Sequence, residues 1–80
     1  MSAPLEIVRS RIDEKIVVKL RDNREVTGTL HAYDEHCNLV LGDAEETVYK
    51  VGSEHKIETS KNTTEMLFVR GDQVIYILLN

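Results

Sequence analysis

The feature that most constrains this chain is a pair of apolar segments separated only by the short polar stretch 34–38. The first segment, residues 25–33, alternates apolar and polar side chains as a half-buried strand does. The second segment starts at Leu39 and continues to Tyr49. Two strands joined by so short a connection must run antiparallel as a hairpin. The chain is therefore expected to be organised around a β-hairpin with a polar tip.

Alternation also predicts which positions of the first hairpin strand face the core. This inward set is expected to be Val26, Gly28, Leu30 and Ala32. Gly28 within a strand indicates a bend or a close approach of two backbones. Gly42 and Asp43 predict a kink in the following strand. A small barrel needs such bends to curl its sheet.

The chain before and after this hairpin predicts a helix, a strand and a loop. Residues 4–12 place apolar side chains at the spacing of one helical face, and Pro4 suits a first helical turn. Residues 16–20 alternate as a strand and lead into a polar turn at 21–24. Residues 52–63 are polar and charged, which predicts an exposed and mobile loop.

Two apolar runs, 66–69 and 74–79, flank a second polar tip at 70–72. Neither run alternates with polar residues, so both faces of each predicted strand are apolar. The final strand carries no lysine, proline or inward charge, which are the devices that protect a sheet edge. Such an edge either aggregates or has an intended partner. The whole chain is therefore expected to be one short helix followed by five strands.

The size of the chain also favours association. A domain of 80 residues removes only roughly 60–65% of its surface from water. Domains this small usually add disulfides, a metal or contacts with other chains to their core. The single cysteine, Cys37, excludes an internal disulfide, and the histidines lack the ligand spacing of a structural zinc site. No metal or cofactor is expected, so association with other chains remains as the means of adding stability.

The charge balance argues against one common kind of nucleic-acid binding. Ten basic residues stand against 14 acidic ones, so the formal net charge is −4. A protein that grips nucleic acid through bulk phosphate neutralisation is expected to be basic. There is no signal peptide and no run of transmembrane length, so a soluble intracellular protein without a membrane partner is expected.

The first tip, 34–38, has two interpretations. In the structural one, Asp34 and Asn38 only stabilise the turn through side-chain to backbone hydrogen bonds. In the functional one, the Asn38 amide reads the edge of a flipped-out base and the His36 ring stacks on that base. Asp34 would then hold Asn38 in one orientation. Both interpretations stay open at this point.

The second tip, Arg70-Gly71-Asp72, also has two interpretations. Gly71 permits a tight turn between two strands and Asp72 caps it. Alternatively, Arg70 acts as a cationic fork that bonds a base or phosphate in plane and stacks over a base. Catalysis is disfavoured because His36 and Cys37 are sequence neighbours, whose side chains diverge. Cys37 leads into an apolar strand and is expected to be a small core residue.

Two motifs resemble those of the Sm and like-Sm family, in the family's order. The first Sm motif is similar to Gly28-x-Leu30-x-x-Tyr33-Asp34-x-His36-x-Asn38-Leu39-Val40-Leu41. The second is similar to Leu67-Phe68-Val69-Arg70-Gly71-Asp72-x-Val74-x-x-Ile77. The resemblance divides a single domain, 1–80, into a helix at about 4–12, the first motif at 14–49, a variable loop at 51–63 and the second motif at 65–79.

The resemblance implies a mainly β fold, a short N-terminal helix followed by a strongly bent five-stranded antiparallel open barrel. It also implies that the fourth strand of one subunit pairs with the fifth of the next to close a ring, usually seven-membered. The expected interface residues are Met66, Leu67, Phe68, Val69, Val74, Ile75, Tyr76 and Ile77. The expected partners are other like-Sm subunits, with the second and sixth as neighbours, and a homomeric ring is possible in isolation.

The resemblance further implies that the two tips line the central hole and form a nucleotide pocket. In that pocket His36 stacks the base, Asn38 contacts its edge, Arg70 covers its other face, Asp34 orients Asn38 and Gly71 brings backbone close. The implied function is non-catalytic binding of the uridine-rich 3′ region of single-stranded RNA. The resemblance implies that the subunit takes part in a nuclear ring on U6 splicing RNA and in a cytoplasmic ring that promotes mRNA decapping and decay. The alternative is a ring scaffold whose own pocket contributes little.

Overall fold

A computed structural model describes residues 3–79 of the chain, and the side chains of 6–52 and 54–79. Its regular elements are helix α1 (Ala3–Arg9) and strands β1 (Lys15–Leu20), β2 (Arg24–Tyr33), β3 (Leu39–Val51), β4 (Ile57–Val69) and β5 (Val74–Leu78), with 3₁₀ turns at Ser53–His55 and Gly71–Gln73. The strands form one antiparallel sheet in the order β4-β3-β2-β1-β5. This architecture confirms the predicted fold class.

The core is built from the inward-facing side chains of β1 to β4. Its buried members are Ile16, Val18, Leu20, Val26, Leu30, Leu39, Leu41, Ala44 and Val69. In β1 the buried side chains of Ile16, Val18 and Leu20 alternate with more exposed ones, as the sequence pattern predicted. No polar side chain is buried among the described residues. The sheet therefore wraps around a purely apolar interior.

The sheet bends where β2 pairs with β3 around Gly28, at a register shift between Thr27 and Thr29. A Cβ atom added at Gly28 would lie 3.1 Å from the carbonyl oxygen of Gly42, so the absence of a side chain permits a close backbone approach. Asp43 has a φ of 46°, in the left-handed region. Leu41 and Ala44 are buried on either side of it, whereas Asp43 is exposed. The predicted bend and kink are thus confirmed.

Two details of the predicted pattern are wrong. Ala32 was expected to face the core, but it is exposed and Tyr33 packs against the core instead. The cause is an irregularity in the β2–β3 register between Leu30 and Ala32, which moves the inward positions along the strand by one residue. The helix is also shorter than the predicted 4–12, because turns follow it from Ser10.

The predicted mobile loop at 52–63 is largely strand. β3 continues to Val51 and β4 begins at Ile57, so only the residues between them connect the two strands. Residues 54–63 are exposed, as predicted. A strand that is solvated on both faces has no apolar alternation to reveal it, which explains the error.

The two edges of the sheet, β4 and β5, carry most of the exposed large apolar side chains. Met66 and Phe68 on β4 are 58% and 61% exposed, and Ile75 and Tyr76 on β5 are 59% and 48% exposed. The other predicted interface residues turn toward the chain's own core: Leu67, Val69, Val74 and Ile77. Leu78, which was not predicted, is also exposed. Contact of these strands with a neighbouring subunit stays a prediction.

Candidate nucleic-acid interface

The two polar tips meet at one end of the sheet. Leu39 pairs with Val69, which places the end of β4 beside the start of β3. The backbone N–H of Gly71 donates a hydrogen bond of 2.7 Å to Oδ1 of Asn38. A Cβ atom at Gly71 would collide with the carbonyl oxygen of His36. Backbone from one tip therefore lies directly against backbone from the other, as a shared site requires.

Asp34 organises the first tip through three accepted hydrogen bonds. Its Oδ1 accepts from the backbone N–H groups of His36 at 2.8 Å and Asn38 at 3.1 Å. Its Oδ2 accepts from Nδ2 of Asn38 at 2.9 Å. The Asn38 side chain above all, and these backbone donors, hold the pKa of Asp34 below its ordinary value. Asp34 therefore both stabilises the turn and orients Asn38, so the two interpretations of this tip are compatible.

The Asn38 amide is held in one orientation. The ionised Asp34 carboxylate can only accept, so it must face the NH₂ group, and the Gly71 N–H can only donate, so it must face the carbonyl. A flipped amide would set donor against donor and acceptor against acceptor. One N–H and one oxygen lone pair of the amide are left over for another molecule.

His36 belongs to the first tip and Arg70 to the second, and both side chains lie in solvent. The His36 side chain is 76% exposed, and its Nε2 lies 3.8 Å from Oε1 of Glu35. The Arg70 side chain is 72% exposed, and its Nη2 lies 3.3 Å from Oδ2 of Asp72. Exposed side-chain contacts of this kind are weak. Both side chains are therefore available to a ligand at little cost.

Cys37 lies outside the core, contrary to prediction. It has a φ of 62° and is exposed, and its backbone N–H donates to the carbonyl of Asp34 at 3.1 Å to close the turn. The apolar strand begins two residues later, at Leu39. Turn geometry thus takes precedence over the apolar character of the following segment.

Arg21 is a residue of the site that the sequence pattern missed. It lies in the turn between β1 and β2, and its backbone N–H donates to the carbonyl of Gln73 at 2.9 Å. Its Nε donates to the carbonyl of Asp72 at 3.0 Å. Arg21 therefore braces the second tip from a distant part of the chain. No sequence signal links the two positions, since the contact depends on the pairing of β1 with β5.

A model of the LSM domain family matches residues 6–79. The chain belongs to the LSm family. It is 50% identical over 82 residues to "LSM complex subunit lsm3" of Schizosaccharomyces pombe, covering 96% of this chain and 88% of that protein. It is 47% identical over 79 residues to "Probable U6 snRNA-associated Sm-like protein LSm3" of Dictyostelium discoideum, covering 92% and 81%. This LSm chain is thus a homologue of LSm3 proteins.

Solved structures agree with this LSm assignment. The SmAP1 heptamer of P. aerophilum matches with a TM-score of 0.77 and 29% identity, over 98% of this chain and 93% of that one. The Sm protein of Pyrococcus abyssii in complex with a uridine heptamer matches with a TM-score of 0.75 and 29% identity, over 94% of each chain. The fold is therefore the Sm fold, and as a member of this family the chain is not an enzyme. Within the described residues no helix combines the length and apolarity needed to cross a membrane.

Proposed function

We propose that this chain is a subunit of a like-Sm ring and binds single-stranded, uridine-rich RNA at the junction of its two tips. The observation that carries the proposal is the Asn38 amide, fixed between Asp34 and the Gly71 backbone. A fixed amide with one free donor and one free acceptor is suited to reading the edge of a single base. The uridine heptamer in the Pyrococcus abyssii complex supports uridine as that base.

The fixed amide favours uracil over cytosine. The remaining N–H of Asn38 suits the O4 acceptor of uracil, and its remaining lone pair suits the N3–H donor. Cytosine presents the opposite order, a donor at N4 and an acceptor at N3. A cytosine held by stacking in the same orientation as uracil would then place its N4 donor against the free N–H of Asn38. Its N3 acceptor would face the remaining lone pair of the amide oxygen. Because Asn38 cannot flip without losing two hydrogen bonds, the amide cannot adapt to cytosine.

His36 and Arg70 complete the proposed pocket by covering the two faces of the base. Stacking contributes about 1–3 kcal/mol per base, and a guanidinium adds a cation–π contact. Since the chain carries a net charge of −4, diffuse attraction to phosphate adds little. Several such pockets fixed around one ring would act together on one strand, which raises affinity through effective concentration.

Ring assembly is supported by the two apolar edges. Met66 and Phe68 on β4 and Ile75 and Tyr76 on β5 are exposed in the single chain, which is costly unless a neighbour covers them. The heptamer of P. aerophilum supports a seven-membered ring. We infer that β5 of one subunit adds to β4 of the next, and that a homomeric ring is possible when other subunits are absent.

The sequence details most resemble the third eukaryotic like-Sm subunit, and the relatives in Schizosaccharomyces pombe and Dictyostelium discoideum are named as LSm3 proteins. We infer a heteroheptameric ring in which the second and sixth like-Sm subunits are neighbours. The Dictyostelium relative's name supports U6 RNA and the nucleus. A role in mRNA decapping and decay in the cytoplasm is the further part of the proposal and follows from the family resemblance.

The test is RNA binding by the assembled ring with Asn38→Ala or Arg70→Ala in this subunit. Each variant is expected to weaken oligouridine binding by about tenfold, in line with loss of one base contact, while the native mass of the ring is unchanged. Lys56→Ala, on the distant β3–β4 connection, is the matched control. If both variants bound like the parent ring, the pocket would be silent and the chain would be a scaffold within the ring.

A further inference from the structure

The two edges of the sheet differ greatly in length. β4 has 13 residues, from Ile57 to Val69, whereas β5 has five, from Val74 to Leu78. In the proposed ring, a neighbour's β5 of this length covers only the apolar end of β4, near Met66 and Phe68. The outer half of β4, residues 57–63, then keeps a free edge. Within residues 3–79 its only partner strand is β3.

The backbone groups that line this free edge can be identified from the register. The N–H of Gly52 donates to the carbonyl of Lys56 at 2.6 Å, which makes these opposed residues a hydrogen-bonded pair. The register beyond them is regular, with Val51 opposite Ile57 and each later pair in step. Hydrogen-bonded and non-bonded pairs alternate along an antiparallel ladder. The residues whose N–H and C=O groups point away from β3 are therefore Ile57, Thr59, Lys61 and Thr63.

The usual devices that protect an edge are ineffective here. The outer half of β4 contains no proline. Its one lysine, Lys61, turns back over the sheet, with Nζ 3.6 Å from Oε1 of Glu45 on β3. The side chain therefore lies away from the free side of the strand. The remaining residues are mostly small and polar, so the outward backbone groups of 57–63 are accessible.

The surface beside this edge indicates what kind of strand it would accept. Val51 and Ile57 lie directly opposite each other and are 74% and 70% exposed, forming an apolar pair at the end of the hairpin. Lys50 precedes Val51 and Lys56 precedes Ile57, and both lysine side chains are exposed. An extended segment with aliphatic and acidic residues would match both features. Such strand addition is a recurrent mode of peptide binding.

We propose that the outer half of β4 binds an extended, acidic peptide of a protein outside the ring, which adds to the sheet as a further strand. An aliphatic residue of that peptide covers Val51 and Ile57, and its acidic residues lie near Lys50 and Lys56. The free edge is a property of the single chain. The proposal rests on the proposed ring only for the statement that the inner half of β4 is occupied by a neighbour.

The test uses the assembled ring and a fluorescein-labelled peptide of alternating valine and threonine with two glutamates, about seven residues long like an ordinary strand. Anisotropy is expected to show saturable binding to the parent ring. Thr59→Pro with Thr63→Pro removes two outward N–H groups that do not bond to β3, so the β3–β4 ladder should survive. The loss of two backbone hydrogen bonds is expected to weaken peptide binding about tenfold or more. Thr59→Ala with Thr63→Ala, which keeps both N–H groups, is the matched control.

A second measurement does not depend on the fold of the proline variant. A peptide of the same sequence with alternate backbone nitrogens methylated cannot form the added ladder, and it is expected to bind the parent ring about tenfold more weakly. Equal binding of the methylated and unmethylated peptides would overturn the proposal, as would no binding to the parent ring. A doubled native mass abolished by the proline variant would also overturn it, since a second ring would then occupy the edge. Ring mass and oligouridine binding, measured on the same samples, test the proposed function separately.

Discussion

Gly71→Ala is the substitution whose effect the structure defines most sharply. The added Cβ would collide with the backbone carbonyl of His36 and lie 3.0 Å from the carbonyl carbon of Cys37. Backbone atoms cannot rotate away as a side chain can, so the two tips must separate. Separation also breaks the hydrogen bond from Gly71 to Asn38. No glycine in the described part of the chain has a positive φ, so backbone strain at Gly71 does not contribute.

The expected magnitude follows from these two effects. Overpacking at a closely fitted position costs about 1–3 kcal/mol. Loss of the hydrogen bond between Gly71 and Asn38 adds about 0.5–1.5 kcal/mol. The free energy of unfolding should therefore fall by about 1.5–4.5 kcal/mol. Oligouridine affinity should fall as well, because the Asn38 amide loses the donor that fixes its carbonyl.

The assay is denaturant unfolding and oligouridine titration of the assembled ring, with Gly52→Ala as the matched control. A Cβ at Gly52 would also meet a close atom, Oε1 of Glu58 at 2.8 Å, but that atom ends a flexible side chain that can move. Both substitutions reduce the entropy of the unfolded chain equally, so this contribution cancels in the comparison. If Gly71→Ala unfolded and bound RNA like Gly52→Ala, contact between the tips would not explain the site.

Four further outcomes follow from the same geometry. Asn38→Ala should raise the pKa of Asp34 toward its ordinary value, since the Asn38 side chain is the main cause of the lowered pKa; carbon NMR of the carboxyl group during a pH titration checks this. Correspondingly, the contribution of Asp34 to the parent's stability should be complete above its ordinary pKa and be lost as pH falls through the lowered one, which unfolding at a series of pH values detects. Arg21→Ala should lower stability by about 0.5–1.5 kcal/mol through its bond to Asp72, with the ring mass unchanged. Phe68→Ser should shift native mass from ring toward smaller species, because Phe68 is 61% exposed on the edge strand; an unchanged mass would contradict the proposed interface.

The amino-acid sequence by itself determined the features that depend on local pattern. Alternation in β1 identified its buried side chains, Ile16, Val18 and Leu20. The short polar stretch after residue 33 identified the hairpin, and Gly28 identified the bend. Asp34 and Asn38 were recognisable as interacting residues because side chains this close along a turn can reach one another. Such features need only neighbours in the chain.

The tertiary structure decided the features that depend on distant segments. The irregular β2–β3 register moved Tyr33 inward and Ala32 outward, and pairing with β3 made a strand of the polar segment that begins at Ile57. The bond from Gly71 to Asn38 and the bracing of the second tip by Arg21 arise only when the sheet closes. Sequence pattern records which side chains prefer burial, but backbone pairing and close contact are set by which strands become neighbours, and no local pattern encodes that choice.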